Sequence, residues 1–266
     1  MVKKRLDVLL AEKGLAESRS QAQRLIMAGQ VRVNGQMLIK PSDQVDEQSQ
    51  LAVDSGPRFV SRGGEKLEAA LAAFGLNSLE GLVCADVGAS TGGFTDCLLQ
   101  HGAKRVYAVD VGYGELHWKL RNDSRVVPME RTNARFIKDF PEPVELVTID
   151  ASFISLRVLL PVVRTWFAAR KGQVVALIKP QFEAGRQVVA RGEGVVRDPL
   201  VHRKVIEDLF AFSIAEQFQI KGLIRSPLIG PKGNAEFLAF LKFPVKEESS
   251  GWEEMITAVF PGNDKS

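Results

Sequence analysis

Apolar and polar positions in the first 57 residues predict two short helices and a β-hairpin. Apolar residues recur at helical spacing in residues 6–10 and 22–26, and Ser18 is a typical N-cap for the second helix. The dipeptide Asn34-Gly35 lies between apolar residues, and both of its members tolerate a positive φ. The front of the chain is therefore predicted to be a small α+β module.

After a further helix that begins at residue 65, short apolar strands alternate with helical segments. Strands with helical crossovers predict a parallel sheet covered on both faces, whose ligands bind beyond the carboxyl ends of the strands. The predicted strands and helices cover, in order, residues 82–86, 94–100, 105–109, 126–129, 146–149, 157–169 and 173–178.

Residues 57–64 mix proline, glycine and serine with Arg58 and Arg62, which is typical of a linker. We expect an arginine-bearing hinge here that orders when a ligand binds the front module. The predicted organisation is a module over 1–57, a linker over 58–64, an α/β domain over 65–245 and a tail over 246–266 whose residues 252–260 are helix-like.

The composition is that of an ordinary folded protein. The 266 residues are 45% hydrophobic and 25% charged, which excludes collagen-like, disordered and disulfide-scaffold classes. The net charge of +3 and the sequence pI of 8.8 permit a nucleic-acid partner without requiring one.

Cysteine and histidine usage bears on the compartment and on metals. Cys84 and Cys97 are the only cysteines, so a disulfide framework is not indicated, and with three scattered histidines they do not make a zinc site. The basic N-terminus lacks the apolar run of a secretory signal, and no stretch approaches the roughly 20 apolar residues that span a bilayer. We expect a cytoplasmic protein without a metal or a membrane.

The loop after the first predicted strand of the domain allows four interpretations. It is not a P-loop, because Phe94 stands where a lysine is needed, and a dinucleotide loop is disfavoured because Ser90 replaces a glycine. Its first five residues match a nucleophile elbow, but an elbow follows several strands rather than the first. If no ligand binds, the loop is a plain strand-to-helix turn. The loop consists of Gly88, Ala89, Ser90, Thr91, Gly92, Gly93 and Phe94.

The fourth interpretation is a nucleoside site, and it explains more of the neighbouring residues. Asp86 precedes the loop and could receive the amino-acid end of a ligand, while Asp110, 22 residues after Gly88, could accept hydrogen bonds from ribose hydroxyls. Thr132 and Asn133 follow the next strand and are candidates to contact adenine. Together these residues suggest S-adenosylmethionine as the cofactor.

Two polar residues end later strands of the predicted sheet. Asp150 and Lys179 should be neighbours at its carboxyl edge, and Pro180 restricts Lys179 to an extended backbone. Such a lysine can also be a phosphate or surface contact.

The front module resembles an S-four-type RNA-binding domain over about thirty residues, through Arg5-Leu6-Asp7, Ser18-Arg19-Ser20-Gln21-Ala22 and Val31-Arg32-Val33-Asn34-Gly35. The resemblance implies binding of structured RNA through shape and phosphates. The candidate RNA-binding residues of this module are Arg5, Arg19, Arg24 and Arg32. Charge alone favours an ordinary solvated face for these arginines, and it is the resemblance that favours RNA binding.

From residue 60 to about 243, the chain resembles the TlyA group of RNA methyltransferases, related to FtsJ-type ribose methyltransferases. Their Lys-Asp-Lys-Glu tetrad corresponds to Lys66, Asp150, Lys179 and Glu236. The resemblance implies a Rossmann-like domain with a mostly parallel seven-stranded sheet, and 2′-O-methylation of cytidine in ribosomal RNA. Lys179 would be the base, Lys66 a second cation that lowers its pKa, and the two acids would orient the lysines.

Some expectations lie outside the tetrad. Residues 181–202 contain Arg186 and Arg191, and form either a lid that touches RNA phosphates or a surface loop. Partners are expected to be ribosomal RNA or ribosomal subunits, and the protein is expected to be a monomer. The alternatives are a non-catalytic RNA- or ribosome-binding protein with a methyltransferase fold and, less favoured, a hemolysin, since proteins of this group also carry that label.

Overall fold

The computed structural model describes residues 2–54, 56–167, 170–185, 189–190, 192–244 and 251–260. The chain forms two compact units, residues 1–58 and residues 59–266. None of the described helices combines the length and the apolar character needed to cross a lipid bilayer.

The N-terminal unit contains the two predicted helices and five short strands. Ser18 caps the second helix, its side chain accepting from the amide of Gln21, as predicted. The apolar faces of both helices pack on one small core that includes Leu6, Leu10 and Ile26. The elements are β1 (Lys3–Arg5), α1 (Leu6–Glu12), α2 (Arg19–Met27), β2 (Val31–Val33), β3 (Gln36–Met37), β4 (Gln44–Asp46) and β5 (Leu51–Val53).

The predicted hairpin is confirmed. Asn34 and Gly35 both have positive φ, 49° and 84°, and join the antiparallel strands β2 and β3. β3 ends at Met37, earlier than the apolar pattern indicated, and β2 pairs with β5 on its other side. The short strands β1, β4 and β5 have too few residues to show a period in the sequence.

The larger unit is built on a seven-stranded sheet with the order β11-β12-β10-β9-β6-β7-β8. The five strands from β10 to β8 are parallel, whereas β12 pairs antiparallel with both β10 and β11. The strands are β6 (Val83–Val87), β7 (Arg105–Val109), β8 (Val126–Met129), β9 (Leu146–Ile149), β10 (Gly172–Ile178), β11 (Gln219–Arg225) and β12 (Phe237–Phe243).

Helices cover both faces of this sheet, and each face has its own apolar core. Within the described residues, the helices are α3 (Gly63–Ala73), α4 (Gly93–Gln100), α5 (Trp118–Arg121), α6 (Leu156–Phe167), α7 (Pro180–Glu183), α8 (Pro199–Ala215) and α9 (Trp252–Val259), with 3-10 turns at Ala134–Phe136 and Pro231–Gly233. The predicted α/β fold class is confirmed. The helix-like stretch of the tail is α9, although most of the rest of residues 246–266 lies outside the described residues.

The topology places the ends of several strands at one edge of the sheet. The parallel strands β6, β7, β9 and β10 all run toward this edge. Because β12 runs the opposite way, it begins there, with Phe237 paired to Ile178. Residues just after the parallel strands and just before β12 therefore share one neighbourhood.

Candidate active site

The loop after β6 makes a tight approach to the strand beside it. Gly88 has φ +85°, and a Cβ at this position would lie 2.7 Å from the carbonyl oxygen of Asp150. Gly92 has φ +95° and faces Leu120, whose Cδ1 would lie 2.2 Å from an added Cβ. These two glycines are required both by their backbone conformation and by close neighbours. The loop then enters α4 at Gly93.

A cavity of about 550 Å³ lies beyond the ends of β6, β7 and β9. We call it the nucleoside cavity. Among its lining residues are five of the predicted cofactor ligands and one member of the tetrad: Gly88, Ser90, Asp110, Thr132, Asn133 and Asp150. The structure therefore brings together residues that the sequence pattern placed after four separate strands.

Asp110 lines this cavity, and two backbone amides bind its carboxylate. Its Oδ2 accepts from the amide of Ser90 at 2.8 Å and its Oδ1 accepts from the amide of Gly112 at 2.7 Å. Each carboxylate oxygen can accept a further hydrogen bond. The side chain can thus receive neighbouring hydroxyl groups of a ligand without moving.

Asp86 is not brought to the cavity. Its carboxyl is fully buried and accepts from the hydroxyls of Thr95 at 2.7 Å and Thr148 at 3.0 Å. Burial raises the pKa of Asp86 to about 7, against the opposing effect of these hydrogen bonds. In this structure Asp86 joins β6, β9 and the first turn of α4, and it is absent from the residues lining either cavity described here.

Lys179 and Asp150 form an ion pair at the sheet edge. Lys179 Nζ lies 2.6 Å from Asp150 Oδ1 and donates to Ser152 Oγ at 3.0 Å. The lysine is extended, with φ −112° and ψ 100°, as expected for a residue before proline. The predicted proximity of Asp150 and Lys179 is therefore confirmed. Only 9% of the lysine side chain is exposed, so its amine is largely withdrawn from water.

Lys66 and Glu236 form a second ion pair, across 170 residues of sequence. Lys66 Nζ donates to Glu236 Oε2 at 2.6 Å. Glu236 is buried, and its other oxygen, Oε1, has no hydrogen-bond partner among the described residues. Gly230 lies against this carboxylate, since an added Cβ would be 2.2 Å from Oε1. Glycine at position 230 therefore leaves the room that Glu236 occupies.

Both ion pairs line a second cavity of about 490 Å³, which we call the lysine cavity. It adjoins the nucleoside cavity, because Gly88, Ser90, Asp150 and Ser152 line both. Its wall also contains most of the remaining loop residues of the sequence prediction, namely Ala89, Thr91, Gly93 and Phe94. Gly92 does not line it and serves the turn instead.

Several lining residues were not predicted from the sequence. Ser152 follows Asp150 by two residues, so its place after a strand was a usable signal. Gly230 and the neighbouring Leu228 and Ile229 lie in a loop between antiparallel strands, and no pattern identified them.

The arginines of the N-terminal unit do not form a single unpaired surface. Arg5 and Arg19 both donate to the fully buried carboxylate of Asp7, each at 3.0 Å, and Gln23 donates to it at 2.8 Å. Arg19 and Gln23, one turn apart on α2, therefore both contact Asp7. Arg24 is directed to Ser20 Oγ at 3.4 Å, and Arg32 pairs with Asp54 at 2.8 Å.

The cluster around Asp7 predicts a stability change with pH. The Arg5 guanidinium, with Gln23 and Arg19, holds the pKa of Asp7 well below its ordinary value. A carboxylate whose pKa is lower in the folded state than in the unfolded state stabilises the fold at pH values above its unfolded pKa, which is about 3.9 for Asp. This stabilisation is lost progressively as the pH falls below about 3.9 toward the folded-state pKa. We expect Asp7→Asn to destabilise the N-terminal unit at pH 7 and the difference from the wild type to shrink below about pH 4. Hydrogen exchange of the α2 amides measures this, and an equal difference at pH 7 and pH 3 would contradict it.

The remaining candidate arginines are placed as follows. Arg58 is exposed at the end of the N-terminal unit, and Arg62 is exposed and lines the lysine cavity. Arg186 and Arg191 lie outside the described residues. Within the described ranges, no group of acidic, histidine or cysteine side chains is arranged to hold a metal ion.

Two known proteins are similar to this chain over most of its length. A Bacillus subtilis protein provisionally named rRNA methyltransferase YqxC is 53% identical over 246 residues, 91% of this chain and 86% of the relative. The 16S/23S rRNA (cytidine-2′-O)-methyltransferase TlyA of Mycobacterium tuberculosis is 46% identical over 244 residues, 90% of this chain and 89% of the relative.

A solved structure gives the same result for the fold. A Streptococcus thermophilus protein, provisionally named a hemolysin, superposes with a TM-score of 0.69 at 46% identity, over 98% of this chain and 96% of that one. Residues 59–243 match the FtsJ-like methyltransferase family, and residues 4–51 match the S4 domain. The chain therefore belongs to the FtsJ-like methyltransferase family and carries an S4 domain ahead of the methyltransferase domain.

Proposed function

We propose that this protein is an S-adenosylmethionine-dependent methyltransferase that methylates the ribose 2′-hydroxyl of a cytidine in ribosomal RNA. The observation that carries the proposal is the junction of the two cavities. A cavity suited to a nucleoside adjoins one that contains two lysine–carboxylate pairs, and Asp150 lines both. The substrate class is supported by the Mycobacterium tuberculosis relative, a 16S/23S rRNA (cytidine-2′-O)-methyltransferase.

The chain's residues fit S-adenosylmethionine at the nucleoside cavity. Gly88 allows a ligand close to the backbone, Asp110 can accept from the ribose hydroxyls, and Thr132 and Asn133 lie where adenine would be contacted. Among the described residues that line this cavity, Arg135 is the one cation, which suits a nucleoside without phosphate better than a pyrophosphate. When bound, S-adenosylmethionine supplies an electrophilic methyl group.

The lysine cavity can activate the acceptor hydroxyl. A ribose 2′-hydroxyl is a poor nucleophile until its proton is taken up. We assign that role to Lys179, whose amine would accept the proton when it is neutral. Asp150 and Ser152 fix the direction of the amine, and the Lys66–Glu236 pair adds a second cation beside the reacting oxygen. Holding the oxygen and the methyl group in line supplies much of the remaining acceleration.

The S4 domain would supply affinity for folded RNA rather than chemistry. Arg5 and Arg19 are held by Asp7 at their guanidinium groups, yet about 39% and 55% of their side chains stay exposed. Their remaining N–H groups can contact phosphates. The proposal includes a cytoplasmic location and action as a monomer.

Two measurements test the proposal. Isothermal titration should show binding of S-adenosylmethionine, and tritium from its methyl group should pass to ribosomal subunits that lack the modification, at a cytidine 2′-oxygen. Arg19→Glu combined with Arg24→Glu should weaken RNA binding and flatten its salt dependence, because fewer counterions are released. Binding of cofactor and RNA without any transfer would instead indicate a non-catalytic RNA-binding protein.

A glycine substitution tests the cofactor loop. We expect Gly88→Ala to lower S-adenosylmethionine affinity by at least about tenfold, because a Cβ strains the backbone and displaces the strand end at Asp150. Gly81→Ala is the matched control: its φ is +79°, but an added Cβ would meet nothing within 4 Å. Calorimetric titration of both variants measures the difference, and equal affinities would contradict the role of close approach at Gly88.

A further inference from the structure

Exposed aromatic rings and arginines lie beside the nucleoside cavity, and they belong to neither of the two lysine–carboxylate pairs. Tyr113 is 67% exposed and Phe136 is 76% exposed. The guanidinium of Arg131 lies 4.2 Å from the centre of the Tyr113 ring, and that of Arg135 lies 5.4 Å from the Phe136 ring centre. We call these four residues the aromatic–arginine surface.

The topology places this surface at the carboxyl edge of the parallel strands, where both cavities lie. Tyr113 follows β7, and the other three residues follow β8, the next strand in the sheet. The two loops are joined by backbone hydrogen bonds, from Arg131 N to Gly112 O at 2.9 Å and from Thr132 N to Asp110 O at 2.8 Å. Arg135 also lines the nucleoside cavity. The surface is therefore anchored, and it adjoins the cofactor site.

The charge of the surface favours an anionic partner. Glu130 is the nearest acid along the chain, but it is already bound by Arg121 and by the amide of Gly114. Among the described residues, neither Arg131 nor Arg135 forms an ion pair with an acidic side chain. Exposed rings interleaved with arginines are the combination on which unpaired bases stack and phosphates bind.

We propose that the aromatic–arginine surface binds unpaired nucleotides of the substrate RNA next to the acceptor nucleotide. Bases would stack on Tyr113 and Phe136, and phosphates would contact Arg131 and Arg135. This inference rests on the proposed function, because it names the RNA contact of the same site. It adds a second RNA-binding surface, on the methyltransferase domain itself, to that of the S4 domain.

Tyr113→Ala and Arg131→Gln test the surface, since neither residue lines the nucleoside cavity or the lysine cavity. We expect Tyr113→Ala to lower kcat/KM for RNA methylation about 5- to 100-fold, the usual range for loss of one base stack. Arg131→Gln should also lower kcat/KM, through the loss of a phosphate contact, and both variants should keep the S-adenosylmethionine affinity of the wild type. Tyr113→Phe keeps the ring and should lose less than Tyr113→Ala. Arg131→Lys keeps the charge without the planar group and should lose less than Arg131→Gln.

Lys242→Gln is the matched control. Lys242 also lies over an aromatic ring, with Nζ 5.5 Å from the Phe240 centre, but it is near the end of β12, at the opposite edge of the sheet. We expect this variant to match the wild type in RNA methylation. A similar loss in the control and in the test variants would show that removing any surface cation is enough, and would overturn the proposal.

Filter-binding of deproteinised ribosomal RNA and of ribosomal subunits separates the possible outcomes. If the wild type transfers no methyl group, the proposed function fails, and weaker RNA binding by Tyr113→Ala still supports the surface. Wild-type RNA binding and turnover in Tyr113→Ala and Arg131→Gln would overturn the surface alone. Weaker binding to subunits with unchanged binding to deproteinised RNA would assign the surface to a ribosomal protein and overturn the RNA assignment.

Discussion

Replacement of Lys179 by alanine is expected to lower kcat for methyl transfer by about 10³-fold or more, within the range that a general base contributes. Lys179 lines the lysine cavity and is absent from the residues lining the nucleoside cavity. S-adenosylmethionine should therefore still bind. Single-turnover transfer of a labelled methyl group measures the first effect, and calorimetric titration measures the second.

A second substitution distinguishes two possible roles of Lys179, that of a general base and that of a positive charge alone. Lys179→Arg keeps a cation opposite Asp150, but a guanidinium does not lose its proton in proteins. If Lys179 is the base, this variant should be nearly as inactive as Lys179→Ala. Turnover close to that of the wild type in either variant would exclude Lys179 as the base.

Replacement of Lys66 by methionine is expected to destabilise the methyltransferase domain by about 3–5 kcal/mol, the usual cost of breaking a buried ion pair. Glu236 would be left buried without its only cation, and its second oxygen already lacks a partner among the described residues. For a domain of this size the loss corresponds to a fall in unfolding temperature of about 10 °C. Differential scanning calorimetry measures it.

The double variant Lys66→Met/Glu236→Gln separates stability from catalysis. With no charge left in the pair, most of the lost stability should return, while methyl transfer should stay low if the pair serves the reaction. Lys204→Met is the control, because Lys204 pairs with Asp208 on an exposed helix face, where such pairs contribute little. A double variant that regains full activity would contradict a catalytic role for the Lys66–Glu236 pair.

The central strands of the larger unit were predictable because their signal is local. Strands such as Val83–Val87 and Arg105–Val109 are largely apolar, and the structure places them within about one residue of the prediction. The same rule located Asp110, Asp150 and Lys179, since residues that follow parallel strands meet at one edge. Strand β12 is as apolar as these, whereas β11 is interrupted by polar residues, and no local pattern gives the direction of either strand.

Local sequence patterns were sufficient to predict the two-part organisation, the parallel core of the sheet, the glycine loop and the polar residues at the strand ends. The three-dimensional contacts were needed to show that Asp86 is enclosed between Thr95 and Thr148, and that Arg5 and Arg19 both contact Asp7. The pairing of Lys66 with Glu236 is likewise seen only in the structure, because the family resemblance identified the two residues but their spacing in the sequence did not show that they are in contact. The reason is that periodicity records what each residue does within its own helix or strand. A contact across 170 residues depends instead on the reversed direction of β12 and on the room left by Gly230.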